Sequence, residues 1–302
     1  MITSSPCRLV ILILALTAIS NLSSPTHAVT IDGDKAVTID GDKITAEEVI
    51  AKHLEAIGKA GSRSSDHSRV AVGTVRAIFK ARNSSGAIDG RAVLGSVKNK
   101  VLVGLAFNAS NYPGEKIGFD GKKVTIAYQS PGVRSTLGNF LKTNNAIVKE
   151  GLMGGTLSSA WPLLNLAERG AKVSYAGTDK IDNRAVHKLR YEPDNGANAQ
   201  VTLYFDAETF QHVRTQYEYV ISSRLAAGGV DNQGHQRETR YKMVEDFSDY
   251  KKESDLNLPH SYSLRLEITT TDGSSSDKWE VKLDQFAFNQ PIDENSFNVE
   301  GR

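Results

Sequence analysis

The sequence predicts a mainly β protein built on one antiparallel sheet, and three features of the pattern lead there. Runs rich in β-branched and aromatic residues recur from Val70 onward, and the early runs are joined by short links of three to eight residues built on turn motifs such as Asn83-Ser84-Ser85-Gly86 and Asp120-Gly121. Links that short join antiparallel neighbours, because a parallel crossover needs a dozen residues or more. Several later runs alternate: Leu264, Leu266 and Ile268 oppose Arg265, Glu267 and Thr269, and Trp279, Val281 and Leu283 oppose Glu280, Lys282 and Asp284. One wet face and one apolar face mark a sheet curved around a core or a cavity.

The chain opens with Arg8, an apolar run from Leu9 to Ile19, and Thr26-His27-Ala28. This is the layout of a secretory signal peptide over 1–28. The run is shorter than the ~20 residues needed to span a bilayer, and no comparable run follows, so no transmembrane segment is expected in the mature chain. Cleavage after Ala28 would remove Arg8 and leave 35 basic and 35 acidic side chains. That balance gives no basis for nucleic-acid binding, which needs clustered Lys and Arg. The one cysteine, Cys7, would leave with the signal peptide, so disulfides and thiol chemistry are not expected.

Residues 29–44 read as a mobile leader, in which Val29–Lys35 recurs as Val37–Lys43. Each copy holds Asp-Gly-Asp but too few oxygen ligands for calcium. Residues 45–302 then read as one domain. Thr45 and Glu48 form a capping box, and Val49, Ile50, His53, Leu54 and Ile57 share a helical face that Gly58 and Gly61 end. His53 on that face reads as a core histidine.

Five strand runs follow: 70–79, 88–97, 101–107, 116–119 and 124–128. The Ala and Gly among their larger side chains let a sheet bend and leave room beside it. Leu137, Phe140, Leu141, Ile147 and Val148 predict one or two short helices. The glycine-punctuated apolar stretch from Gly151 to Leu166 reads as a core helix or a mobile cover, with Pro162 opening a helical turn and Gly170 closing it. Seven further runs, 172–176, 185–191, 200–205, 213–222, 238–247, 262–270 and 278–288, carry the chain to its end, with hairpin turns at Asp182-Asn183 and Thr271-Asp272-Gly273. The link from Ala226 to His235 is longer and reads as mobile.

Catalytic groups are hard to find. There is no Gly-x-Ser-x-Gly elbow, no phosphate loop, and no His-Glu-x-x-His pairing among His53, His67, His187, His212, His235 and His260. His212 and His260 fall at the starts of predicted strands, where structural roles are the default. Glu245 with Asp246 and Glu253 with Asp255 adjoin lysines and read as solvated charge at a strand end. The expectation is a protein without catalytic residues, metal or cofactor.

The order of elements resembles the periplasmic lipoprotein-carrier family (LolA/LolB-like), which includes outer-membrane lipoprotein-sorting proteins. Phe119-Asp120-Gly121-Lys122-Lys123-Val124-Thr125-Ile126-Ala127-Tyr128 is similar to the family's Asp-Gly hairpin and apolar strand. Val201 to Phe210, with its Phe-Asp-x-x-Thr turn, is similar to another of its strands. Leu258-Pro259-His260-Ser261-Tyr262 and Asn289-Gln290-Pro291-Ile292-Asp293 are similar to closing strands of related envelope proteins. The resemblance covers most of the chain from Thr45. It implies an unclosed antiparallel half-barrel with a helical lid over an apolar cavity that takes acyl chains.

On that resemblance the chain is expected in the periplasm, holding lipid or a lipid-anchored protein and exchanging it with membrane donor and acceptor proteins. Phe140, Leu141, Met153, Leu157 and Trp161 are the lid candidates. Tyr217, Tyr219, Leu264, Leu266 and Trp279 are the candidates for the cavity wall. Where the carriers have an Arg-Pro step whose arginine latches the lid, this chain has Lys98-Asn99-Lys100, and its second half is longer. The alternatives are an envelope stress sensor that binds a partner protein on the same fold, and a secreted hydrolase with an unrecognised site.

Overall fold

The computed structural model describes residues 44–81, 84–224 and 236–300. The expected signal peptide, the duplicated leader up to Lys43 and the link from Ala226 to His235 lie outside the described residues.

Helix α1 (Ala46–Ile57) begins at the expected capping box: the Glu48 amide donates to Thr45 Oγ1 at 3.2 Å, and the Thr45 amide donates to Glu48 Oε2 at 2.8 Å. These bonds satisfy two amides that a helix start otherwise leaves free. Gly58 ends the helix, but Gly61 does not end a helix; it lies inside a second short one, α2 (Ala60–Ser65), none of whose residues is buried. With no apolar face to hold it, that turn was invisible to periodicity.

Strands β1 (Ser68–Ala81), β2 (Ser84–Val97), β3 (Lys100–Phe107), β4 (Gly114–Phe119) and β5 (Val124–Ile126) form a first antiparallel meander. A connection carrying α3 (Thr136–Thr143), α4 (Ala146–Lys149), two 3₁₀ turns (Gly155–Leu157 and Pro162–Asn165) and α5 (Leu166–Arg169) follows. The second meander is β6 (Lys172–Ile181), β7 (Arg184–Glu192), β8 (Gln200–Asp206), β9 (His212–Arg224), β10 (Gln236–Glu253), β11 (Leu256–Thr270) and β12 (Gly273–Phe288). Each matches one predicted run, mostly longer, because the polar strand ends continue the ladder.

β1 pairs with β12 from Arg69↔Phe288 to Lys80↔Ser276, which fuses both meanders into one twelve-stranded sheet, β5-β4-β3-β2-β1-β12-β11-β10-β9-β8-β7-β6. β5 and β6 are the two ends of that order, so the barrel is open, as expected. A bulge between Val72 and Gly73 bends β1; a side chain at Gly73 would collide with the Lys282 carbonyl oxygen at 1.9 Å. The predicted Asp182-Asn183 turn is formed with both residues at positive φ, 49° and 64°, as a two-residue hairpin of right-handed twist requires.

The topology positions the site. The connection leaves the sheet at one edge and re-enters it at the other, so it must cross the sheet. It is apolar where it crosses: Leu137, Phe140, Leu141, Ile147, Leu152, Met153, Leu157 and Trp161 are all buried. It packs with the sheet's inward residues, among them Leu264, Leu266, Tyr217 and Trp279, in one core.

Candidate functional site

The covering segment fills the space beneath it. Between Leu94, Val101 and Val103 on the sheet and Met153 and Leu157 above, the remaining volume is only about 10 Å³, the least that would hold one water. Nine of the ten candidate residues, Phe140, Leu141, Met153, Leu157, Trp161, Tyr217, Leu264, Leu266 and Trp279, are buried there as core. The tenth, Tyr219, is half-buried at one end, with Tyr241 beside it and the Phe140 ring stacked on Tyr241 at 5.8 Å. A groove of about 210 Å³ opens at that end, lined by Phe140 and Thr143 of α3 and by Tyr219, Ile221, Tyr241 and Ile268 of the sheet.

What ties the segment to the sheet is polar. Glu245 lies in the middle of β10 with 0% exposure; the sequence reading of solvated charge at a strand end is therefore corrected. Its carboxylate accepts from Tyr217 Oη and Tyr262 Oη, each at 2.7 Å, and from the Gly154 amide at 2.7 Å. Burial raises its pKa above the ordinary glutamate value, against the lowering effect of those three donors. Here a sheet carboxylate grips the backbone of the covering segment.

Arg69 provides a second grip. It is 2% exposed, pairs with the Asp66 carboxylate, and donates through Nη1 to the Thr156 carbonyl oxygen. An arginine latch thus exists, supplied from the start of β1 rather than from the turn at Lys98-Asn99-Lys100. Next to it, the Ser159 amide and Oγ both donate to Ser96 Oγ, at 2.8 and 2.9 Å.

Two histidines complete the attachment. Trp161 Nε1 donates to His53 Nε2 at 3.1 Å, so His53 must carry its proton on Nδ1 and donate it to the Phe210 carbonyl oxygen at 2.9 Å. Burial pushes the His53 pKa down to about 4, which keeps the ring neutral. His212 stacks on Trp161 at 4.7 Å and is also held neutral by burial. Its Nε2 lies 3.0 Å from the Arg214 carbonyl oxygen, which needs a donor. Gly155 passes so close that a Cβ there would sit 2.7 Å from His212 Cε1 and from Phe247 Cζ, and its φ of +49° favours glycine independently. His53 is the core histidine expected, with a partner the sequence could not name. His260 lies inside β11 rather than at a strand start.

A third buried charge ties down the beginning of α3. Glu115 on β4 is 1% exposed and accepts from Tyr112 Oη and Ser135 Oγ, each at 2.7 Å, while Ser135 also caps α3 by accepting from the Gly138 amide. Burial raises the Glu115 pKa to about 7, with a smaller push from Asp277. Trp279 Nε1 donates to Tyr112 Oη at 2.9 Å, linking this cluster to the wall.

Among the described residues no cluster of three His, Cys, Asp or Glu could hold a metal ion, and no helix is long and apolar enough to cross a membrane.

No family model and no curated protein matches the chain. Solved structures similar to it include an outer membrane lipoprotein-sorting protein domain from Vibrio parahaemolyticus, at 14% identity and TM-score 0.42, covering 84% of this chain and 97% of that one. A DUF1329 family protein from Desulfovibrio piger ATCC 29098 matches at 8% identity and TM-score 0.37, over 84% and 97%. Lipoprotein LppX of Mycobacterium tuberculosis matches at 14% identity and TM-score 0.21, over 82% and 98%. At such identities and TM-scores, no ligand or activity carries over.

Proposed function

We propose that this chain is an exported carrier that binds acyl chains of lipid, or of a lipid-anchored protein, beneath the segment 135–166, without catalysis. One observation supports the reading above others. The cover over the sheet's apolar face is not a strand of the sheet but an apolar connection between its two edges, held by a small set of hydrogen bonds. If it lifts, it exposes its own apolar side chains and the sheet's, and only an apolar occupant restores the lost burial.

Magnitudes favour a reversible exchange. Withdrawing Leu152, Met153, Leu157 and Trp161 from the core costs roughly 6–12 kcal/mol at ~1.5–3 kcal/mol per side chain. One sixteen-carbon chain entering the same space regains roughly 12 kcal/mol at ~0.8 kcal/mol per CH₂. The two terms are of the same order, and the sheet's exposed face and the broken latches add to the cost, so a tight complex calls for more than one chain. The groove beside Phe140, Tyr219 and Tyr241 is the place where a chain would enter first.

Native mass spectrometry of the protein purified from its envelope without detergent, followed by organic extraction, tests the reading. Phospholipid or acyl species at stoichiometric amounts are expected. A protein that emerges empty and also fails to take up a fluorescent fatty acid would show that the fold serves something else.

A further inference from the structure

We propose that the cleft beside the covering segment is a binding site for a phosphate group that carries a hydrogen-bond donor, the chemistry of a phosphoethanolamine or phosphoglycerol headgroup. The cleft has a volume of about 570 Å³ and lies between α2, the β2–β3 turn and the last part of the connection. Three cations from three separate elements line it: Arg63, Lys98 and Arg169. None of them lies within salt-bridge distance of a carboxylate among the described residues, although Arg63 Nη1 donates to the Leu54 and Gly58 carbonyl oxygens and Glu55 and Glu294 act on Arg63 and Lys98 at longer range. The opposing carboxylates are Asp66 and Glu168, and Asp66 is already neutralised by the buried Arg69. The lining of the cleft therefore carries more positive than negative charge, an excess that Glu55 near Arg63 and Glu294 near Lys98 reduce, although the chain as a whole is close to neutral.

Two of the lining residues also hold polar atoms whose bonding is incomplete. Arg169 Nε is buried without an acceptor, and Asp66 Oδ1 is buried without a donor. Buried groups left unpaired carry their full desolvation penalty, so native proteins rarely keep them without a reason. A plain anion could satisfy the arginine but would repel the aspartate. A phosphate ester bearing an ammonium or hydroxyl would satisfy both once the Arg169 and Asp66 side chains turn these buried atoms toward the cleft, with its oxygen on the guanidinium and its donor on the carboxylate.

The cleft shares a wall with the cover. Ser159, Leu164 and Asn165 of the connection line it, and Arg169 Nη2 donates to the Ala160 carbonyl oxygen at 2.8 Å. Ser159 is the same residue that bonds to Ser96 on the sheet. A headgroup bound here would sit beside the segment whose displacement admits the chains. The phosphate chemistry stands on the cleft alone; its assignment to a lipid rests on the acyl-chain reading proposed above.

Calorimetric titration of the purified protein with O-phosphoethanolamine, inorganic phosphate and lysophosphatidylethanolamine tests the site. Wild type should bind O-phosphoethanolamine more tightly than inorganic phosphate. Lys98→Glu, a change at an exposed turn side chain, should weaken both O-phosphoethanolamine and the lysolipid at least tenfold, and Arg169→Gln should do the same. No binding by wild type, or wild-type affinity in both variants, overturns the site. Inorganic phosphate bound as tightly as the ester, with no lysolipid uptake, overturns the headgroup in favour of free phosphate. Uptake of an uncharged fluorescent fatty alcohol by wild type separates the two proposals. If that uptake is absent while O-phosphoethanolamine still binds, the acyl-chain reading fails and the phosphate site stands.

Discussion

The glycine segment 151–161 and helix α3 belong to one connection, yet they meet the sheet through different physics. The glycine segment is fastened at its backbone: the Gly154 amide to Glu245, the Thr156 carbonyl to Arg69, the Ser159 amide to Ser96. Helix α3 is fastened mainly by side chains, with the Ser135 cap bonded to Glu115 and Phe140 stacked on the half-buried Tyr241 beside an open groove. Backbone latches fix position to within a hydrogen-bond length, whereas an aromatic stack tolerates sliding. The comparison implies that the cover loosens first at α3 and that the glycine segment, which must also lift for a chain to enter, is released last.

The largest expected effect comes from breaking the stronger end. Arg69→Ala leaves the Asp66 carboxylate buried without its counter-charge and the Thr156 carbonyl without its donor. Removing one partner of a buried pair costs about 3–5 kcal/mol, so urea denaturation should show a loss of that order. A loss below about 1 kcal/mol would mean that the latch is not what holds the segment.

The two ends should also answer pH in opposite directions. Glu115 binds its proton more tightly folded, at about pH 7, than the ordinary 4.5 of an unfolded glutamate. Its stabilising contribution is therefore full below pH 4.5 and falls as pH rises toward 7, by roughly 3 kcal/mol at ~1.4 kcal/mol per unit. His53, with its pKa lowered from 6.5 to about 4, contributes fully above pH 6.5 and loses that contribution as pH falls toward 4. In wild type the two trends overlap and partly cancel. Glu115→Gln keeps the side-chain shape and removes only the first, so its stability should rise with pH between 4.5 and 7 more steeply than that of wild type. Parallel curves for the two proteins would contradict the assignment of Glu115.

Most of the sheet was legible because each run buries one face, and period-two alternation records that directly. The latches were overlooked for the same reason, although the signal was present. Glu245 is in phase with Met243 and Phe247, Arg69 with Ala71, Val75 and Ala77, Glu115 with Ile117 and Phe119, and Ser96 with Leu94 and Ala92. A polar residue at an inward position of an apolar face must find a partner, and here each of the four has one in the covering segment. Reading Glu245 with its neighbour Asp246 as one charged patch hid the alternation. What no pattern could supply is the partner itself: Gly154 lies 91 residues from Glu245 and Thr156 lies 87 from Arg69. Helix α2 escaped for another reason, since it buries nothing and so leaves no periodic trace.

The central claim is that the cover must move for an apolar ligand to enter. Ser96 Oγ and Ser159 Oγ are 2.9 Å apart across the joint between sheet and cover, close enough for a disulfide to replace their bond. The sequence contains no cysteine besides Cys7, so the double variant Ser96→Cys with Ser159→Cys can form one defined cross-link. Uptake of a fluorescent fatty acid should be lost in the oxidised variant and return to the wild-type level on reduction. Equal uptake in the oxidised and reduced forms, with the cross-link verified by mass, would contradict the account.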